Sequence, residues 1–138
     1  MLISTRGRYA IRVMLDLAEN YNGSYIPMKE VAQRQELSLK YIERIMPDLS
    51  KNHFVEGIHG KGGGYRLTRK PAEYKIGDIL KLTEGDLAPV ACLECDAKPC
   101  LRAKTCKTLP MWEKFQTMIH EYFDGITLED LQNGTISM

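Results

Sequence analysis

Residues 28–51, MKEVAQRQELSLKYIERIMPDLSK, carry the pattern that best predicts the fold of this chain. Apolar side chains recur there at three- and four-residue spacing in two short runs, as they do on the buried faces of α-helices. The expected inward positions are Met28, Val31 and Ala32 in the first run, and Tyr41, Ile42, Ile45, Met46 and Leu49 in the second. Pro27 can open the first helix, and Ser38 is a good N-cap for the second. Two short helices joined by a tight turn predict a helix-turn-helix.

The segments on either side extend this pattern to a winged helix-turn-helix. Before it, Ser4 and Thr5 can cap a helix that ends at the Asn-Gly turn of YNGSY. The buried stripe of that helix is expected to be Tyr9, Ala10, Val13, Met14, Leu17, Ala18 and Tyr21. After it, HFVEGIH and YRLTR flank the glycine turn GKGGG, and two β-rich runs around such a turn predict a hairpin. A hairpin that directly follows a helix-turn-helix is a wing.

The C-terminal half predicts a short helix, a loop and a long helix. IGDILKLTEG has helical periodicity, residues 92–106 have no clear period, and Pro110 can open the helix MWEKFQTMIHEYF. The apolar positions of this last helix are Met111, Trp112, Phe115, Met118, Ile119, Tyr122 and Phe123. This stripe is wider than a monomer of this size covers, so it predicts a two-fold homodimer.

Together these elements predict a mainly α-helical fold with a small β-hairpin wing. We expect a winged helix-turn-helix DNA-binding domain over residues 1–85 and a cysteine-rich loop over residues 86–108. A dimerisation helix with a C-terminal turn is expected over residues 109–138. The length of 138 residues suits one compact domain, or a small domain with an arm.

Charge is distributed unevenly along the chain. Residues 1–70 contain 12 Lys/Arg and 7 Asp/Glu, a net charge of +5, whereas residues 71–138 contain 7 and 11, a net charge of −4. The basic half is therefore expected to meet a polyanion. No run approaches the roughly 20 apolar residues that cross a bilayer, and the basic N-terminus lacks the apolar core of a signal peptide. A cytoplasmic location without membrane association is expected.

The second helix of the helix-turn-helix has a polar outward face. Lys40, Glu43 and Arg44 lie there at positions i, i+3 and i+4, near the end that a recognition helix inserts into the major groove. A Lys or Arg can donate to guanine, and a Glu can accept from cytosine. A solvated helix face is the alternative, but the winged-helix context favours DNA contact. Ser38 and Tyr41, at the same end of the helix, complete the set of contacts predicted for this helix.

The hairpin tip HGKGGGYR contributes a second group of cations. His59, Lys61 and Arg66 can contact phosphates or the minor groove, because glycines permit close approach of the backbone. The segment does not match the phosphate-binding loop of nucleotide-binding enzymes, and it lies between strands rather than before a helix. A flexible tip without DNA contact is the alternative.

All four cysteines lie within the segment ACLECDAKPCLRAKTC, residues 91–106. Reduced thiols are expected in the cytoplasm, which disfavours a pair of disulfides. A structural zinc site has two tight cysteine pairs with a long gap between them, and only Cys92 and Cys95 form such a pair. One loop that brings three or four thiolates together, including Cys100 and Cys106, suits an iron–sulfur cluster better. Zinc and a metal-free thiol switch remain alternatives.

Enzymatic residue patterns are missing from the sequence. It contains neither G-x-S-x-G nor H-E-x-x-H, and it has only three histidines for acid–base chemistry: His53, His59 and His120. His120 lies in the middle of the long helix, at the edge of its packing stripe, and is not expected to bind metal. A binding protein is predicted, and a small iron–sulfur electron carrier is a distant alternative.

Four segments give the chain a family resemblance that covers nearly its whole length. MLISTRGRYAIRVMLDLA, LSLKYIERI, GKGGGYRL and a cysteine loop running into LPMWEKF are similar, in this order, to the Rrf2 family of winged-helix regulators. The resemblance implies a homodimeric transcription factor that binds a palindromic DNA operator. It also implies a long C-terminal helix that crosses to the partner, and three clustered cysteines that hold an iron–sulfur cluster.

Within this family, the chain resembles the IscR-like branch of iron–sulfur cluster regulators, which implies a repressor with a 2Fe–2S cluster. Arg8 stands where the nitric-oxide-sensing branch has an aspartate ligand. Leu109 replaces the histidine ligand of the IscR-like branch, His59 replaces a wing arginine, and a fourth cysteine is present. With these departures, the resemblance implies four ligands: Cys92, Cys95, Cys100 and Cys106. A competing interpretation leaves Cys95 out and adds a group from elsewhere.

Overall fold

The computed structural model describes residues 2–136 and contains six α-helices and one β-hairpin in that range. The helix-turn-helix region contains α1 (Thr5–Glu19), α2 (Met28–Gln35) and α3 (Leu39–Lys51). The wing consists of β1 (Val55–Ile58) and β2 (Gly64–Leu67). After it come α4 (Ile76–Glu84), α5 (Leu109–Asp124) and α6 (Leu128–Asn133). The mainly helical fold with a hairpin wing is confirmed.

The predicted caps begin the helices of the DNA-binding region. The Ser4 hydroxyl accepts a hydrogen bond from the Gly7 amide at 3.0 Å, so α1 starts at Thr5. The Ser38 hydroxyl accepts from the Tyr41 amide at 3.3 Å and begins α3. Glu36 ends α2 in the left-handed conformation, with φ of 55°. This residue makes the turn between α2 and α3 tight.

The hydrophobic core is centred on α1, which packs against α2, α3, α4, α6 and β2. Its fully buried side chains include Val13, Met14, Leu17, Ile42, Met46, Leu49, Ile79 and Leu128. Truncating a buried leucine or isoleucine in such a core to alanine costs about 2–5 kcal/mol. The core therefore holds α3 rigidly, and its outward face is presented in a constant orientation.

An isolated β-bridge joins the wing to the rest of the DNA-binding region. Strands β1 and β2 pair antiparallel, from Val55 opposite Leu67 to Ile58 opposite Gly64. Ile26 then pairs with Tyr65 through backbone hydrogen bonds of 2.8 and 2.9 Å. Gly64, at φ of 156°, passes so close to the Ile26 backbone that a Cβ would overlap it. The wing is thus attached to the segment just before α2 through the part of β2 that lies next to its glycine turn.

Two predictions about burial have different outcomes. Tyr21 was expected to be inward, but 51% of it is exposed because α1 ends at Glu19 and the chain turns away at Asn20. The apolar stripe of α5 is mostly uncovered in the single chain, as expected from its width. Its exposed members, between 42% and 56% exposed, are Met111, Phe115, Met118 and Tyr122.

Within residues 2–136, no helix is both long and apolar enough to span a bilayer.

Candidate DNA interface and cysteine loop

The outward face of α3 has the composition that the sequence predicted. Lys40, Glu43 and Arg44 are exposed, and Ser38 is exposed at the start of the helix. Tyr41 lies beside this face and is half-buried, because its ring packs edge-on against Tyr9 of α1 at 5.3 Å between centroids. The face therefore presents two cations and one carboxylate at the N-terminal end of a rigidly held helix.

The predicted cations of the wing fall into two structural classes. His59 and Lys61 are exposed at the tip, among glycines that include Gly60 and Gly62 at positive φ. Arg66 lies lower, on β2, where its guanidinium donates to the Glu56 carboxylate and to the Gly23 carbonyl, both at 2.7 Å. It also stacks over the Tyr25 ring at 4.3 Å. Within residues 2–136, no hydrogen bond or ion pair of this kind holds the side chains of His59 and Lys61, whereas Arg66 has a fixed orientation.

A polar junction between α1 and α2 was missed by sequence reasoning. Asp16 is 1% exposed, and its carboxylate accepts hydrogen bonds from Arg34 at 2.8 and 3.0 Å and from Gln35 at 3.0 Å. This carboxylate raises the pKa of Arg34 through the same hydrogen bonds. The available signal was an aspartate between Val13 and Leu17 in the apolar stripe of α1. The junction holds the end of α2, from which the chain turns into α3.

The structure separates the four cysteines into different surroundings. Cys92 is exposed on a single 3₁₀ turn, Ala91–Leu93. Cys100 and Cys106 line one open cavity of about 580 Å³, together with the cations Arg102 and Lys107. Cys95 lines a different open cavity of about 430 Å³, whose other walls carry carboxylates. These are Glu84, Asp86, Glu94 and Asp96.

These surroundings change the acidity of the thiols in opposite directions. Hydrogen bonds with Thr108, whose Oγ1 lies 3.3 Å from the sulfur, lower the pKa of Cys106, and the charge of Arg102 adds to the effect. A hydrogen bond to Asp86 and the negative charge of that residue raise the pKa of Cys95. Cys106 therefore forms the thiolate that binds metals more readily than Cys95 does.

The donor chemistry of the loop fits an iron–sulfur cluster or zinc better than a hard cation. Its thiols are soft ligands, and all four are unpaired. Among residues 2–136, no three Cys, His, Asp or Glu side chains are already gathered into a group that could hold a metal ion. Leu109, at the start of α5, has no donor atom, and His120 is half-buried within that helix. A metal group would therefore have to draw the thiols together.

Comparison with known proteins gives a consistent result. Residues 3–134 match the family model Rrf2, described as iron-dependent transcriptional regulators. The chain is 33% identical over 132 residues to the transcriptional regulator IscR of Aliivibrio salmonicida, covering 95% of this chain and 77% of that protein. The structure of CymR, the global cysteine regulator of B. subtilis, superposes with a TM-score of 0.80 at 32% identity over 99% of both chains. The structure of T. potens IscR superposes with a TM-score of 0.75 at 32% identity, over 99% of this chain and 89% of that one.

Proposed function

The chain belongs to the Rrf2 family of transcriptional regulators, and on this premise we propose that it is a repressor whose operator affinity depends on an iron–sulfur cluster in its cysteine loop. Membership of this family makes it a DNA-binding regulator and not an enzyme. Sequence identity does not choose between its relatives, because the identities to the CymR and IscR structures are both 32%. The observation that carries the proposal is the set of four unpaired thiols on one exposed loop.

For DNA reading, we propose that α3 enters the major groove and that the wing tip contacts the backbone or the minor groove. Lys40, Arg44 and Glu43 form the outward face that would contact base edges, with Ser38 and Tyr41 beside it. His59 and Lys61 would meet the flanking backbone or groove, while Arg66 would contribute from its fixed position on β2. A two-fold operator with half-sites about 34 Å apart suits a dimer of this fold.

For assembly, we propose a homodimer formed through α5. Met111, Phe115, Met118 and Tyr122 recur at four- and three-residue spacing along one exposed face. An open apolar cavity of about 330 Å³ lies along the same face. A second copy of α5 would cover these side chains, which soluble monomers rarely leave exposed together. Sedimentation at micromolar concentration should give twice the 15.7 kDa of the chain, and the monomer mass would contradict the proposal.

For sensing, we propose that Cys92, Cys95, Cys100 and Cys106 hold a 2Fe–2S cluster, which supplies the loop with a charge and a geometry that depend on its presence and redox state. Four protein ligands satisfy two irons. Cys100 and Cys106 are best prepared, because they share a cavity that contains Arg102 and Lys107. The surroundings of Cys95 support the competing set, in which Cys95 stays a thiol and another group, such as one from the partner subunit, completes the site.

Absorption of the anaerobically purified protein tests this proposal. Broad bands between roughly 320 and 600 nm are expected from a cluster. A colourless protein with stoichiometric zinc would overturn the proposal and favour a zinc-stabilised regulator. A colourless protein without metal would favour a thiol switch, for which Cys106 is the reactive candidate.

Single Cys→Ser variants then separate the two ligand sets. If all four cysteines are ligands, every variant should lose or shift the visible spectrum. If Cys95→Ser keeps the wild-type spectrum while Cys92→Ser bleaches, the fourth ligand lies elsewhere.

A further inference from the structure

The C-terminal end of α4 has two carboxylates that hold different parts of the chain. Glu84 accepts hydrogen bonds from the Ser4 amide at 2.9 Å and from the Ser4 hydroxyl at 2.7 Å. The same hydroxyl accepts from the Gly7 amide and so caps α1. Gly7 lies so close to Glu84 that a Cβ on Gly7 would overlap the carboxylate. Glu84 therefore fixes the first turn of α1.

Asp86, two residues later, holds the cysteine loop. One of its oxygens accepts from the Ala88 amide and the other from the Cys95 amide, both at 2.7 Å. From the opposite side, the Gln116 side chain of α5 donates to the Leu93 carbonyl at 3.2 Å. Asp86, just after the end of α4, thus closes the segment from residue 86 to residue 95, and Gln116 attaches this segment to α5.

A single residue separates the two carboxylates. Gly85 ends α4 at φ of 75°, and its amide donates to the Lys81 carbonyl at 2.9 Å. A residue with a side chain would be strained in this conformation, so Gly85 sets a defined turn between its neighbours. Asp86 and Glu84 are therefore joined by one short, ordered backbone step.

From the first turn of α1, two contacts continue to the helix proposed to read DNA. Arg6 forms an ion pair with Asp48 of α3. One turn further along α1, Tyr9 packs against Tyr41 of α3. The first turns of α1 therefore touch α3 at two places, near its beginning and towards its end.

We infer that Asp86 and Glu84 are positioning residues that couple the cysteine loop to the N-terminus of α1, and through α1 to α3. The inference rests on the proposed function for the loop as the site that changes state. The contacts that carry it, however, are present in the chain without any bound group. Contact alone does not demonstrate coupling, so the test must measure an effect at α1 of a change at the loop.

Amide hydrogen exchange of the full-length, reduced, metal-free protein supplies that measurement. Asp86→Ala should raise exchange about tenfold at the Ala88 and Cys95 amides, which lose their acceptor. The inference further requires a several-fold rise at the Gly7 amide, which Asp86 does not touch. Unchanged exchange at Gly7 alongside a loosened loop would overturn the inference. Asp86→Asn, which keeps one oxygen acceptor, should give a smaller change in the same direction.

Asp96→Ala is the matched control, because it removes the same charge from the same cavity. Within residues 2–136, the Asp96 carboxylate takes part in no hydrogen bond, so the variant should leave Gly7 unchanged. A rise at Gly7 equal to that in Asp86→Ala would assign the effect to charge and overturn the inference. In a Glu84→Gln background, Asp86→Ala should cause no further rise in hydrogen exchange at the Gly7 amide, because the contact between residue 84 and Ser4 is already weakened. If the two substitutions raised exchange at Gly7 by fully additive amounts, the inference would also be overturned.

Operator affinity connects the inference to regulation. In the wild type, the ratio of Kd values between the cluster-loaded and metal-free proteins measures the coupling. Asp86→Ala and Glu84→Gln should move this ratio towards one while the visible absorption per chain is retained, and Asp96→Ala should not. A wild type that never acquires visible absorption would refute the proposed cluster, and the exchange experiment would still decide the coupling.

Discussion

Replacing either partner of the Asp16–Arg34 pair should lower the stability of the protein measurably, and the two replacements should differ in the size of the loss. Asp16→Asn removes the charge that holds two guanidinium hydrogen bonds of 2.8 and 3.0 Å. Each such bond contributes about 1.5–3 kcal/mol, but Arg34 is 38% exposed and regains part of this from water. We expect a loss of about 2 kcal/mol in the free energy of unfolding. For a chain of this size, that lowers the thermal midpoint by roughly 7 °C.

Arg34→Met should reduce the free energy of unfolding more than Asp16→Asn does. It leaves a carboxylate that is 1% exposed without its charged partner, and a buried charge cannot be rehydrated as an exposed one can. The expected loss is about 3–5 kcal/mol. Operator affinity should fall with it, because the junction holds the end of α2, next to the turn into α3.

Thermal and urea unfolding at fixed protein concentration measure both variants. Arg8→Met is the control, because Arg8 is an exposed arginine whose side-chain hydrogen bond is to Thr5 of the same helix, at 3.1 Å. It should change stability by no more than about 0.5 kcal/mol. If Arg34→Met were no more destabilising than Arg8→Met, the buried pair would not hold the junction and the reasoning would be wrong.

Three further predictions concern DNA, thiol chemistry and pH. Glu43→Ala should relax discrimination between base pairs at the contacted position by about 1–3 kcal/mol. Lys61→Ala should instead weaken binding to all sequences and lower the salt dependence of the binding constant by about one unit of slope. Equal, sequence-independent losses from both variants would contradict these roles. In the metal-free protein, iodoacetamide should alkylate Cys106 before Cys95 at pH 7, because their pKa values are shifted in opposite directions; mass spectrometry of timed samples would expose the reverse order. Hydrogen bonds from the Cys95 and Ala88 amides lower the pKa of Asp86, so its contribution to loop stability is complete above the ordinary carboxyl value of about 3.9. This contribution is lost only as the pH falls through the lowered pKa of Asp86. The protection of the Cys95 amide against hydrogen exchange, corrected for intrinsic exchange, should therefore be constant from pH 7 to 5. A loss of protection within that range would refute the role of Asp86.

Elements whose signals are local in sequence could be predicted from it. Ser4 and Ser38 cap helices three residues away from the amides they bind, and the α3 face is set by a spacing of three and four residues. The glycine turn of the wing lies between its own strands. Such interactions close over a few residues, so the chain needs no distant partner to specify them. The family resemblance added the expectation of a 2Fe–2S cluster, because residue spacing alone left zinc and a metal-free thiol switch as alternatives.

Arrangements that join distant residues could only be obtained from the tertiary structure. Asp16 meets Arg34 across 18 residues, and Ser4 meets Glu84 across 80. Cys95 lines an acidic cavity, whereas Cys100 and Cys106 line a basic one. This division depends on how the loop lies in the folded chain, which the C-x2-C-x4-C-x5-C spacing does not encode. Tyr21 fits the helical period, yet it is exposed because the helix ends before it. Periodicity specifies which face of an element is apolar, whereas burial, pairing and acidity depend on what the folded chain places against that face.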